Sequence, residues 1–170
     1  NTIDMKKLLV ALMMILPLGA FAQGLKIGYV NKQEVLVVMP EYNAAMKTLE
    51  DMNLKYITEG KKLEEEFQRK YQEYAAQADT LDAAIRQYKE NELARLQQSI
   101  QEFTKSADET LKKKQQELFM PIIAKMDEAI AKVGEQNGFA FILDNTAGII
   151  AYKSAQTTDV AALVKKALGL

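Results

Sequence analysis

Apolar positions recur through the middle of the chain at helical spacing. Tyr42, Ala45, Leu49, Met52, Tyr56, Leu63, Phe67 and Tyr74 follow a step near 3.5 residues. Further on, Ile85, Leu96, Ala107 and Leu118 recur roughly every 11 residues, as do Ile100, Leu111, Ile122 and Val133. The intervening positions are dense in Glu, Lys, Gln and Ala. This pattern predicts two long helices over residues 41–120, folded back on each other. The break falls at Ala78-Asp79-Thr80-Leu81-Asp82, with the turn near 79–82, where Asp79, Thr80 or Asp82 can accept from the orphan N–H groups of a helix start. Pro40 and Pro121 lie about equally far from Thr80 and stand side by side at the root of the hairpin. Each arm is then about 40 residues, or roughly 60 Å, so the arms project. A 3.5-residue step favours left-handed and an 11-residue repeat right-handed winding, which together predict nearly straight arms. Glu59 or Gly60, Lys70, Glu92, Ser99, Thr110 and Lys114 fall where apolar residues are expected, so the seam is interrupted and pliable.

The flanking segments carry a different pattern. Residues 25–30 alternate and predict a strand, and Asn31 caps a short helix through Leu36. Pro40 suits a first helical turn. Beyond Pro121, Ile122, Ile123, Met126, Ala129, Ile130 and Val133 form a wide stripe facing a core, and Asn137-Gly138 ends that helix. Residues 139–144 and 149–152 predict a β-hairpin around Asn145-Thr146-Ala147-Gly148. Thr158-Asp159 caps a last amphipathic helix, with Lys165 and Lys166 at its C-terminal end. Residues 23–40 and 121–170 thus build one small body, and the fold class is α+β, mainly α. So small a body leaves open strand edges, and self-association is the natural remedy. Ile27, Tyr29, Phe139, Phe141, Leu143, Ile149 and Ile150 are the candidate oligomerisation residues.

The N-terminal residues 1–22 read as a signal peptide with its natural start at Met5. Lys6 and Lys7 precede a short apolar run, Pro17 and Gly19 break it, and Ala20-Phe21-Ala22 is a small-x-small cleavage site. The run is too short to span a bilayer comfortably, so no integral anchor is expected after cleavage.

Composition narrows the chemistry. With 22 Lys and Arg against 23 Asp and Glu, the chain lacks the basic surplus that nucleic acid requires. It contains no His and no Cys, which removes the common nucleophile–base pairs, most zinc sites and any disulfide. Glu64-Glu65-Glu66 with Arg69-Lys70 is the pattern of a solvated helix face. No catalytic residue, metal site or cofactor is expected. The aromatic side chains along the arms, Tyr56, Phe67, Tyr71, Tyr74 and Tyr88, either pack in the seam or offer weak, distributed contacts to an extended client. Met46, Met52, Met120 and Met126 add pliable apolar surface.

The order of elements resembles a known family. A signal peptide is followed by Lys26-Ile27-Gly28-Tyr29-Val30-Asn31, Pro40-Glu41-Tyr42, the long hairpin, Pro121-Ile122 with Ala129-Ile130, Gly138-Phe139-Ala140-Phe141-Ile142-Leu143-Asp144 and Asp159-Val160. This is similar to the Skp/OmpH family of periplasmic chaperones. The resemblance implies a homotrimer whose β-containing trimerisation body carries helical arms around a central cavity. It implies an ATP-independent holdase for unfolded outer-membrane β-barrel proteins. Well-known members are strongly basic at the arm tips, whereas Glu73, Asp79, Asp82 and Glu90 surround only Arg86 and Lys89 here, so no lipid site is carried over. The rival expectation is a structural envelope adaptor that uses its hairpin to bind a folded partner.

Overall fold

A computed structural model describes residues 25–170, so the signal-peptide reading lies outside the described residues. The elements run β1 (Ile27–Val30), α1 (Lys32–Leu36), α2 (Pro40–Ala75), α3 (Ala83–Gln136), β2 (Phe141–Asp144), β3 (Thr158–Asp159) and α4 (Ala161–Leu168). The class is α+β and mainly α.

Local chemistry sets the element ends. The Asn31 side chain accepts from the Gln33 N–H at the start of α1. Pro40 opens α2, where a missing N–H costs nothing. Asp82 caps α3, its carboxylate accepting from the N–H groups of Ala84 and Ile85 at 2.9 and 3.0 Å. Asn137 and the left-handed Gly138 close α3, and Gly169 closes α4.

The long helix α3 has 54 residues and continues through Pro121. The expectation that the return arm stops there is corrected. Pro121 leaves the Glu117 carbonyl without its helical partner, a defect of about 3 kcal/mol in isolation. Packing on both sides of it keeps the helix going. Tyr42 stacks on Phe119 with centroids 5.4 Å apart, Ile122 and Met126 are buried, and Lys125 pairs with Glu41 across the root.

The strands form one parallel sheet in the order β2-β1-β3. Ile27 pairs with Phe141, Tyr29 with Leu143, and Gly28 with both Ile142 and Thr158. The expected β-hairpin is therefore wrong: β2 pairs with the N-terminal strand, and residues 149–152 form no strand. The turn after β2 serves as a tether. The Asn145 N–H donates to the Val30 carbonyl at 2.8 Å, and the Lys32 N–H donates to Thr146 Oγ1 at 3.0 Å. Those bonds tie the turn to the start of α1 and send the chain away from β2. Thr158-Asp159, expected to cap the last helix, is a short strand, and Val160 takes the N-cap position of α4; Asp159 still accepts from the Ala161 N–H at 2.9 Å.

The core sits at the base. Val30, Val35, Met39, Ala45, Ile122, Met126, Ala129, Val133, Val160, Ala161 and Val164 form one buried cluster. It is enclosed by one face of the sheet, α1, α4 and the two helix roots. Gly28 lets the layers approach closely there: a Cβ at that position would lie 3.1 Å from Ile142 and Val160 and 3.2 Å from Phe139, so those side chains would have to give by a few tenths of an ångström. Lys32 ties three elements together, reaching Asp127 at 2.9 Å and Asp144 at 3.6 Å. The hydrogen bond with Asp127 raises the Lys32 pKa, and the bond from Thr146 lowers that of Asp144.

Candidate functional site

Two surfaces remain after the core is closed: the arms and the outer face of the sheet. In the arms, α2 presents positions 42, 45, 49, 52, 56, 60, 63, 67, 70 and 74 to α3, all at least partly buried. The facing positions on α3 are 92, 96, 100, 103, 107, 111, 114 and 118. Only Ala45 at the root and Ala107 in the shaft are fully buried on the arms above the base. Among the described residues the contact is a single seam between two helices, with no third layer to exclude water.

Two interruptions of that seam pair with each other across it. Lys70 and Glu92 meet each other at 2.5 Å across the arms. Their hydrogen bond raises the Lys70 pKa and lowers that of Glu92. Gly60 lies beneath Phe103, with 3.5 Å between a built Cβ and the ring. Phe103 also meets Tyr56 edge-on at 6.1 Å. Phe103 is the seam residue that the apolar repeats miss. It belongs to a third 11-residue series, Glu92, Phe103 and Lys114, whose other members are charged. Ser99 and Thr110, expected in the seam, are exposed, and so is Ile85.

The aromatic candidates divide. Tyr56, Phe67 and Tyr74 lie in the seam. The Tyr74 hydroxyl donates to Glu90 at 2.6 Å, which raises its pKa. Tyr71 is 51% exposed although its ring stacks on Phe67 at 6.2 Å, and Tyr88 is 69% exposed. At the tip, Arg86 donates to the Ala78 carbonyl at 2.7 Å and Arg69 pairs with Glu73 at 2.8 Å, so both cations are engaged within the arm.

A groove follows one flank of the shaft. Near the base it is lined by Met46, Leu49, Glu50, Asn53, Leu111 and Phe119, with a volume of about 470 Å³. It continues distally through Asn53 and Leu111 into a hollow of about 210 Å³ beside Ile57, Phe103 and Asp108. On another flank, a cleft of about 450 Å³ lies at the root between Ala44, Thr48, Leu118 and Pro121.

The sheet has one covered and one bare face. Gly28, Val30 and Ile142 point into the core. By strand alternation Ile27, Tyr29, Phe141 and Leu143 share the opposite face. Phe141 and Leu143 are 45% and 42% exposed. Among the described residues, Lys153 lies over Tyr29 at 3.8 Å, and no helix covers this side. Parallel sheets are normally covered on both faces, which makes the bare apolar side unusual for an isolated chain. Of the other oligomerisation candidates, Phe139 packs on the core side under Lys26, Ile150 is half-buried beside the turn, and Ile149 is 75% exposed.

Among the described residues no cluster of acidic side chains could hold a metal ion, and no helix is long and apolar enough to cross a membrane. Residues 26–168 match the profile of a family described as "Outer membrane protein (OmpH-like)". Over 164 residues the chain is 27% identical to the chaperone protein Skp of Yersinia enterocolitica, covering 95% of this chain and all of that protein. Its fold is similar to a crystal structure described as that of an OmpH-like outer membrane chaperone from Caulobacter crescentus. The TM-score is 0.70 at 12% identity, over 85% of this chain and 84% of the other.

Proposed function

We propose, on the premise that this chain belongs to the OmpH-like outer membrane protein family, that it is an ATP-independent periplasmic holdase. In this reading a cleaved signal peptide directs export, three copies assemble through the base, and unfolded outer-membrane β-barrel proteins are held in the cavity between the arms. The family is one of chaperones, not enzymes.

The observation that carries the reading is the division of the molecule. A closed core is confined to the base, while the arms expose a half-buried seam, shallow grooves and rings such as Tyr71 and Tyr88. An unfolded barrel protein offers alternating apolar side chains with no fixed shape. Many weak contacts suit such a client better than one deep pocket. The bare face of Ile27, Tyr29, Phe141 and Leu143 supports assembly through the base, because burying it against copies of itself covers the second side of the sheet.

The test is to dilute a urea-denatured outer-membrane barrel protein into buffer with and without this chain. Aggregation suppressed without nucleotide at a fixed ratio of chain to client supports the reading. Aggregation at the control rate over several ratios refutes it. For assembly, light scattering on a sizing column is expected to give three times the chain mass, and Phe141→Asp to give monomers. A wild-type monomer at micromolar concentration refutes the trimer.

A further inference from the structure

We infer that the groove along the arm selects extended client segments in which apolar side chains are interleaved with Lys or Arg. The inference rests on the holdase reading and adds a charge preference to it.

The two hollows share Asn53 and Leu111 and so form one track. From Phe119 to Phe103 it follows 16 residues of α3, or about 24 Å at 1.5 Å per residue. An extended chain of about seven residues spans that length, with alternate side chains pointing down into it. Apolar walls come from Met46, Leu49, Ile57, Leu111 and the rings of Phe103 and Phe119.

The charges on this track have one sign. Glu50 and Asp108 line it, and among the described residues no Lys or Arg does. Neither carboxylate takes part in the ion pairs that the described residues form, whereas neighbouring acids do: Glu59 is held by Lys62 and Glu109 by Lys105. Glu50 lies one turn toward the base from Asn53. Asp108 lies one turn toward the tip from Leu111, because the helices run antiparallel. The contacts of Tyr42 with Phe119 and of Lys70 with Glu92 fix the register of the two helices, and in it the two carboxylates stand about 5 Å apart along the arm. In an extended segment, cations two residues apart, on one face, reach both. A client segment carrying Glu or Asp at those places meets like charge. The cleft at the root is different, since Glu41 and Lys125 line it and neutralise each other.

The test measures binding of two fluorescent peptides to the full chain by anisotropy at low salt. Both have alternating Leu and Val positions; one carries two Lys and the other two Glu at the same places. The Lys peptide is expected to bind about fivefold more tightly, the size of effect that two exposed ion pairs produce. High salt is expected to shrink the ratio. The double variant Glu50→Gln with Asp108→Asn is expected to erase it with unchanged helix content by circular dichroism. Equal binding of the two peptides by the wild-type chain overturns the inference, as does a preference that survives the double variant. Aggregation suppression measured on the same samples separates the two levels. A chain that protects the barrel protein without a charge preference overturns this inference alone, and one that does neither overturns the holdase reading as well.

Discussion

The base and the arms use similar apolar residues to opposite ends. At the base, Met39, Met126, Val30, Val35, Val160 and Val164 are almost wholly removed from water, because sheet, helix roots and α4 enclose them from several directions. In the arms, Leu49, Leu63 and Phe67 have only one partner helix and stay half-exposed. Burial contributes about 25 cal/mol per Å² of apolar surface, so a residue of the same type is worth more in the base than in the shaft. The base thus supplies fixed geometry, and the arms supply surface that can yield.

Substitutions can break or sharpen that contrast. Met126→Ala opens a cavity in the closed cluster and is expected to cost about 2–5 kcal/mol by denaturant titration. Phe67→Ala in the shaft is expected to cost distinctly less, with the loss confined to arm amides in hydrogen exchange. Equal costs would erase the distinction. Gly28→Ala forces a methyl against Ile142, Val160 and Phe139 and is expected to cost about 1–3 kcal/mol.

Gly60→Ala should act in the opposite direction. The ring of Phe103 is at ordinary contact distance from the added methyl. Removing glycine from a helix interior is therefore expected to stabilise the shaft by about 0.5–1 kcal/mol, seen as slower exchange around residues 56–64. If the arms must yield to take up clients, this variant is also expected to hold fewer client sizes.

The smallest effect concerns Lys70 and Glu92. The Glu92 pKa is lowered from its usual 4.5 by the hydrogen bond from Lys70. A depressed carboxylate contributes stability above its unfolded pKa and loses it as pH falls through the folded value. Arm exchange near the pair is expected to quicken below about pH 4.5, and Glu92→Gln to remove that dependence while leaving the base unchanged. The raised Lys70 pKa works in the other direction, with its share lost only as pH rises above the usual 10.5 of lysine.

The legibility of the sequence follows the same boundary. Seam positions of α2 could be read from spacing, because a two-helix contact depends on local periodicity alone. Asn31, Pro40 and Gly138 announced element ends for equally local reasons, and Asp82 is the one of three cap candidates, with Asp79 and Thr80, that starts α3. The partner of β2 could not be read this way. Two apolar runs around Asn145-Thr146-Ala147-Gly148 look like a hairpin, and only a pairing more than a hundred residues distant places β2 beside β1. Pro121 looked like a helix stop because the packing that carries α3 past it comes from Tyr42 and Glu41 on another helix. Of the candidate site, the exposure of Tyr71 and Tyr88 depends on how each helix is rotated about its axis, which spacing alone does not set. Phe103 was hidden because its repeat series is otherwise charged, and the bare sheet face emerged only with the correct register.

The most direct test is amide hydrogen exchange on the assembled chain, alone and with an unfolded outer-membrane barrel protein. Slow exchange in β1, α4 and residues 122–133 in both states is expected, with fast exchange along the arms that slows when client is present. Arms as protected as the base without client, or a client that slows exchange only at the base, would contradict it.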